Sequence, residues 1–118
     1  MAQFDPAVQP PSQSVRLIDF EEATVHPGII PETWFLVVSG TKPCLNMEVE
    51  LQPLVYVRCP DYWGIEVVGS LPNGICLPAE APYTATIPLA GVTGSEGIEV
   101  IGANKKQKIK VSGGCESH

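Results

Sequence analysis

Residues 45–59 carry the clearest pattern of hydrophobic and polar positions in the chain. Apolar side chains occupy the odd positions from Leu45 to Val57, and polar side chains occupy the even positions from Asn46 to Gln52. Successive side chains of a β-strand point to opposite faces, so alternation with a period of two indicates a strand with one buried face. The pattern predicts a β-protein whose core contains the odd-numbered side chains of this segment.

Pro53 is expected to interrupt this segment. A straight strand over residues 45–59 would span ~50 Å at ~3.3 Å per residue, whereas a domain of this size is only about 35 Å across. Proline also lacks the N–H that a sheet requires, so it occurs at edges and bulges. We expect two strands, or one that bends at Pro53. The apolar Leu54 and Tyr56 predict that the second part is covered on both faces.

Further short segments have strand character. Residues 33–39 are apolar on both sides, which is typical of a strand covered on both faces. Residues 102–105 favour a turn, so the two segments that flank them form a predicted hairpin. A single helical turn at residues 20–23 is the alternative within the first segment. The remaining predicted strands are residues 15–25, 65–68, 83–89, 98–101 and 107–111.

About seven short strands, separated by frequent turns, predict an all-β fold. We expect a two-sheet antiparallel β-sandwich that is immunoglobulin-like in the broad sense. The Cys…Trp…Cys arrangement of immunoglobulin domains is not met, so only the architecture is predicted. Residues 1–13 are expected to form a flexible proline-rich arm, residues 14–111 a single domain, and residues 112–118 a loose tail.

The charge distribution limits the possible partners. The net charge is −6, and four of the seven basic residues stand close together at Lys105, Lys106, Lys108 and Lys110. The remaining body is strongly acidic, which disfavours nucleic acid as a partner because phosphates would be repelled. No apolar run approaches the ~18 residues of a membrane span. The first residues do not resemble a signal peptide, which favours a cytoplasmic location and leaves export open.

The four cysteines, Cys44, Cys59, Cys76 and Cys115, form no C-x-x-C pair. Structural zinc sites usually use such close pairs, so no metal site is predicted. Reduced thiols are expected, with Cys44 and Cys59 partly buried and Cys115 exposed. Disulfides are the alternative and would require an oxidising compartment. A bridge between Cys44 and Cys59 would need the segment between them to fold at Pro53.

Catalytic chemistry has little support. The only histidines are His26 and His118. Glu48 and Glu50 would share a strand face about 7 Å apart, near the spacing used by glycosidases, but their polar neighbours indicate a solvated surface that would not separate the two pKa values. The glycine-rich residues 91–97 precede a strand rather than the helix of a phosphate site. The chain is therefore predicted not to be an enzyme and to use no cofactor.

Two aromatic residues are candidates for binding. Tyr62 and Trp63 stand in a predicted tight turn, where they could stack on a sugar or anchor a protein partner. Trp63 could instead cap the end of the core, as the usual burial of tryptophan suggests. Asn73 lies in a predicted turn within the long loop 71–82. This loop is expected to neighbour Tyr62 and Trp63 and to contribute to the same surface.

Lys106, Lys108 and Lys110 are expected on one side of a single strand. Such lysines often protect an edge strand from unwanted pairing. They could also pair with Glu48 and Glu50 on neighbouring strands, or bind an acidic partner. Together these features favour a non-catalytic binding or scaffold module whose partner is another protein, or a second copy that pairs through a strand edge. A carbohydrate- or surface-binding module of an exported protein is the alternative.

Overall fold

The computed structural model describes residues 14–115; residues 1–13, predicted as an arm, and residues 116–118 of the predicted tail lie outside this part. Residues 14–115 contain no helix, which confirms the all-β prediction. Eight strands occur rather than about seven. They are β1 (Ser14–Leu17), β2 (Glu22–Pro27), β3 (Trp34–Lys42), β4 (Glu48–Pro53), β5 (Tyr62–Leu71), β6 (Ala81–Pro88), β7 (Gly97–Ile101) and β8 (Lys106–Lys110).

The strands form two packed sheets, as predicted. Sheet B has the order β2-β3-β6 and is antiparallel throughout. Sheet A is built around β5, which pairs with β4 on one edge and with both β1 and β7 on the other. The outer strand β8 pairs with β7. The β5–β7 pair is parallel, so sheet A is mixed, while its other pairs are antiparallel as expected.

The core lies between the two sheets. Its centre is made by alternate aliphatic side chains of three strands, and the fully buried ones are Leu36, Val38, Ile65, Val67, Ile98 and Val100. β3 shows the alternation most clearly, because Leu36 and Val38 are buried whereas Phe35 is exposed. The prediction that residues 33–39 are covered on both faces is therefore wrong. Within residues 14–115, no third layer covers the outer face of sheet B.

The segment that dominates the sequence pattern behaves as predicted only in its centre. Met47 and Leu51 are buried, and β4 ends at Pro53. Residues 54–61 form no strand, and Val55 and Val57 are 94% and 102% exposed. The expectation that this part is covered on both faces is wrong. The chain leaves the sheet after Pro53, and its last contact with β5 is the bond from Leu54 N–H to the Gly64 carbonyl oxygen at 2.9 Å.

The first predicted strand, residues 15–25, is divided into β1 and β2. Between them the chain passes from sheet A to sheet B, and it buries Ile18 and Phe20 as it crosses. The hydroxyl of Tyr83 on β6 donates to the carbonyl oxygen of Asp19 at 2.7 Å and so ties this crossing to sheet B. The predicted hairpin is confirmed as β7 and β8.

Two disulfides stabilise opposite ends of the sandwich, so the expectation of reduced cysteines is wrong. Cys44 is bonded to Cys76, and Cys59 is bonded to Cys115. β4 and β5 are antiparallel, so Cys44 before β4 and Cys76 after β5 meet at one end. The alternative pair, Cys44 and Cys59, is not formed because these residues flank β4 at its two ends. Cys115 lies within the segment expected to be a loose tail.

Candidate functional site

Trp63, a predicted binding residue, is half-buried at the start of β5 and packs against the core. Its indole Nε1 donates to the carbonyl oxygen of Leu54 at 2.8 Å. Its ring forms a T-shaped contact with the ring of Tyr56, with centroids 5.0 Å apart and an interplanar angle of 73°. The polar group of Trp63 is therefore used within the protein, where it fixes the chain after β4 against β5.

Tyr62 is half-buried beside Trp63 and is contacted by a lysine from the edge strand. The Nζ of Lys108 lies 5.0 Å from the centroid of the Tyr62 ring. Such a cation–π contact contributes about 0.5–1 kcal/mol at an exposed site. The structure thus brings together two of the predicted site residues, Tyr62 and Lys108.

Asn73 lies at the opposite end of the sandwich from these residues. It is exposed in the turn that follows β5, which is closed by the bond from Gly74 N–H to the Leu71 carbonyl oxygen at 2.9 Å. β5 has 10 residues, so Tyr62 and Asn73 are separated by roughly 30 Å of extended strand. The expectation that loop 71–82 neighbours the aromatic pair is therefore wrong.

Lys106, Lys108 and Lys110 lie on β8, an edge of sheet A, with their side chains exposed. Glu48 and Glu50 lie on β4 at the other edge, so the predicted pairing of these groups within one chain does not occur. Between the described residues, Lys110 forms the single ion pair, with the Glu96 carboxylate at 3.9 Å. β8 is an edge strand, as the interpretation of these lysines as edge protection requires.

The loop after β5 presents a surface that the sequence pattern did not reveal. Leu45, Ile75 and Leu77 are 52%, 64% and 48% exposed. All three are next to a cysteine of the Cys44–Cys76 bridge along the chain, and we refer to Leu45, Ile75 and Leu77 as the clasped apolar surface. The alternation in residues 45–59 assigned Leu45 to the core. For Ile75 and Leu77, the one signal in the sequence was the presence of two aliphatic residues in a loop that prolines bound.

Three hydrogen bonds hold the clasped apolar surface in place. The N–H of Leu45 donates to the carbonyl oxygen of Leu77 at 2.9 Å. The side-chain amide of Asn46 makes the other two: its Nδ2 donates to the carbonyl oxygen of Ile75 at 2.7 Å, and its Oδ1 accepts from the N–H of Leu77 at 3.0 Å. With the adjacent disulfide, these bonds fix two loops as one unit.

Clefts and acidic side chains also occur elsewhere in residues 14–115. No group of three or more His, Cys, Asp or Glu side chains in this part could hold a metal ion. None of its segments forms a helix long and apolar enough to cross a membrane. Two clefts lie at the Cys59–Cys115 end, and one of them is lined by Val25, Trp34 and Ile109 with a volume of about 540 Å³.

Comparison with protein-family models gave no match to this chain, and searches of curated proteins and of solved structures gave no significant match. The function of the chain is therefore inferred from its own geometry.

Proposed function

We propose that this chain is a non-catalytic protein-binding module and that the clasped apolar surface is its binding site. The proposal rests on the arrangement of Leu45, Ile75 and Leu77, whose side chains are exposed to solvent. Their loops are nevertheless held in place by a disulfide and three hydrogen bonds. Contiguous exposed apolar groups are typical of protein interaction sites. The partner is a protein with a complementary apolar surface.

Rigidity supports this assignment. A mobile loop must lose conformational freedom when it binds, at about 0.5–1.5 kcal/mol for each immobilised side chain. The loop that carries Ile75 and Leu77 is already held by Cys76 and by the Asn46 amide. Burial of apolar area contributes roughly 25 cal/mol per Å². Because a pre-ordered loop loses less conformational entropy on binding, more of the free energy of apolar burial contributes to its affinity.

The acidic residues near the clasped apolar surface suggest which charges the partner carries around its own binding surface. Glu48 and Glu80 are exposed and stand close along the chain to Leu45 and Leu77. Complementary charges at a rim raise association rates and exclude wrong partners. We therefore expect basic residues around the apolar centre of the partner surface.

The two disulfides support an exported protein rather than the cytoplasmic one expected from the first residues. Structural disulfides persist in oxidising compartments and are rare in the cytosol. The carbohydrate-binding alternative needs exposed Tyr62 or Trp63 as well, and both are half-buried with partners inside the protein. Export is therefore part of our proposal, while sugar binding is not.

The proposal is tested with two matched variants. The site variant is Leu45→Ser/Ile75→Ser/Leu77→Ser, and the control is Val55→Ser/Val57→Ser, which also removes exposed aliphatic side chains. Each protein is incubated with the dye 8-anilinonaphthalene-1-sulfonate and is also used in photo-crosslinking with periplasmic or secreted extracts.

We expect dye binding and a crosslinked protein partner for the wild type and the control variant, and loss of both for the site variant. Circular dichroism and thermal unfolding verify that all three proteins are folded. Equal dye binding and equal crosslinking by the site variant would contradict the assignment of the clasped apolar surface.

A further inference from the structure

The two edges of sheet A carry opposite charges on the same face. On β8, Lys106, Lys108 and Lys110 are exposed, while the residues between them are half-buried toward the core. On β4, Glu48 and Glu50 are exposed, while the residues between and after them turn inward. The lysines and the glutamates therefore both lie on the face of sheet A that is turned away from sheet B.

These two edge strands also run in the same direction. β4 is antiparallel to β5, β5 is parallel to β7, and β7 is antiparallel to β8. Hence β4 and β8 are parallel to each other at opposite edges of the sheet. They cannot meet within one chain. A second copy, shifted sideways in the plane of sheet A, would place its β4 beside β8 of the first copy. The two strands would then run parallel, and their charged side chains would lie on the same face of the joined sheet.

The backbone of β8 is available for such pairing. The N–H of Val111 donates to the carbonyl oxygen of Glu96 at 3.1 Å. Backbone groups of an antiparallel strand point to alternate sides, so those of Lys106, Lys108 and Lys110 point away from β7. The same three residues thus present their N–H and C=O groups at the open edge and their ammonium groups on the outer face.

The backbone of β4 has the complementary arrangement. The N–H of Leu54 donates to the carbonyl oxygen of Gly64 on β5 at 2.9 Å. By the same alternation, the backbone groups of Val49 and Leu51 point to the open edge. In a parallel pair, one residue bonds to the two residues that flank its neighbour. Lys108 of one copy can therefore bond to Val49 and Leu51 of the next and lie beside Glu50.

We propose that copies of this chain assemble head to tail, with β8 of one copy parallel to β4 of the next. Lys106 and Lys108 then lie beside Glu48 and Glu50, on strands ~4.8 Å apart. Within the described residues, neither glutamate forms an ion pair, and Glu50 accepts only a 3.4 Å bond from Gln52. This inference goes beyond the proposed function, because it uses no residue of the clasped apolar surface.

Symmetric pairing is disfavoured by the same charges. Two β8 edges would bring lysines together, and two β4 edges would bring glutamates together, and like charges on adjacent strands are destabilising. The β6 edge of sheet B offers fewer donors, because β6 contains Pro82 and Pro88, and proline has no N–H. A head-to-tail contact that is a simple shift does not close, so it generates open chains.

Sedimentation velocity over a range of protein concentrations tests the assembly. We expect the weight-average mass to rise past that of a dimer as concentration increases, and to fall when about 0.5 M NaCl screens the charges. A monomer at every concentration would overturn the proposal, and the lysines would then serve to keep the edge unpaired. A mass that stops at the dimer would also overturn it, because a closed pair requires a symmetric contact.

Charge reversal gives a second and sharper test. The variants Lys106→Glu/Lys108→Glu and Glu48→Lys/Glu50→Lys are each expected to associate at least about tenfold more weakly, and an equimolar mixture of the two is expected to assemble again. The control Glu22→Lys/Glu32→Lys reverses exposed charges away from β4 and should assemble like the wild type. Reversed variants that fold, by circular dichroism, and assemble alone as well as the wild type would overturn the proposal.

Discussion

The N–H of Leu45 donates to the carbonyl oxygen of Leu77 at 2.9 Å, although the two residues belong to loops at the ends of different strands. The Cys44–Cys76 bond stands directly beside this contact, with Cα atoms 5.2 Å apart. Neither loop is part of a sheet, so the bridge and these bonds decide where the apolar side chains lie. The stability of this end and the shape of the clasped apolar surface are therefore linked.

Removal of the first bridge should release that surface. In Cys44→Ala/Cys76→Ala, the free energy of unfolding is expected to fall by about 3–4 kcal/mol, because the unfolded chain regains the entropy of an open loop. The two cysteines are separated by 32 residues. Urea unfolding measures the loss of stability, and hydrogen exchange measures the protection of the Leu45 amide, which should decrease.

The second bridge provides the matched control. Cys59→Ala/Cys115→Ala opens a longer loop, with a separation of 56 residues, and should lose a similar or slightly larger free energy of unfolding. Its Leu45 amide should stay protected, because the bridge lies at the other end of the sandwich. Unchanged protection of Leu45 after loss of the first bridge would show that the bridge does not hold the surface.

Trp63→Phe tests whether this residue serves the fold rather than a ligand. The substitution removes the donor to the Leu54 carbonyl oxygen but keeps an aromatic ring. The free energy of unfolding should fall by about 1 kcal/mol, the net contribution of one hydrogen bond, as measured by urea unfolding. Crosslinking to a protein partner should be unchanged. A variant of wild-type stability that no longer crosslinks would instead assign Trp63 to a binding site.

The raised pKa of Tyr83 predicts that the free energy of unfolding decreases at alkaline pH. Burial, followed by the nearby Glu21 and Asp19 carboxylates, raises the pKa of Tyr83 to about 12 from its usual 10.0. The folded state therefore holds the phenol proton more tightly than the unfolded state. This contribution is complete below pH 10 and is lost as the pH rises toward 12. Thermal unfolding across this range should show a falling melting temperature.

Tyr83→Phe is the control for this pH dependence. The variant loses the hydrogen bond to the Asp19 carbonyl oxygen and should be about 1 kcal/mol less stable at neutral pH. Between pH 10 and 12 its melting temperature should fall less steeply than that of the wild type. Identical slopes for the two proteins would mean that Tyr83 is not the group responsible.

Gly114→Ala tests the close approach of two backbone segments beside the second bridge. A Cβ atom at Gly114 would collide with the carbonyl group of Gly94, which is backbone and cannot move aside easily. Overpacking of this kind typically destabilises a protein by about 1–3 kcal/mol. Ser112→Ala, at an exposed neighbouring position, should have little effect. Equal melting temperatures for the two variants would argue against the close approach.

The alternation of apolar and polar residues along the chain was sufficient to predict the fold class but not to locate the candidate site. Alternation places Met47 and Leu51 in the core correctly, because strand geometry alone assigns side chains to faces. The same alternation predicts that Leu45 and Val57 are buried, whereas both are exposed. These residues lie outside β4, where the rule no longer applies, and the ends of a strand depend on its partners in the sheet.

Local alternation and turn residues are enough to predict an all-β sandwich, its principal strand segments and the lysines on one side of a hairpin. The arrangement of the strands in the folded chain was needed to find the disulfide pairs, the exposed position of Leu45, Ile75 and Leu77, and the placement of Glu48 and Lys108 at opposite edges of sheet A. These relationships all join residues that are distant along the chain. Strand order brings such residues together, and strand order is not encoded in any local pattern.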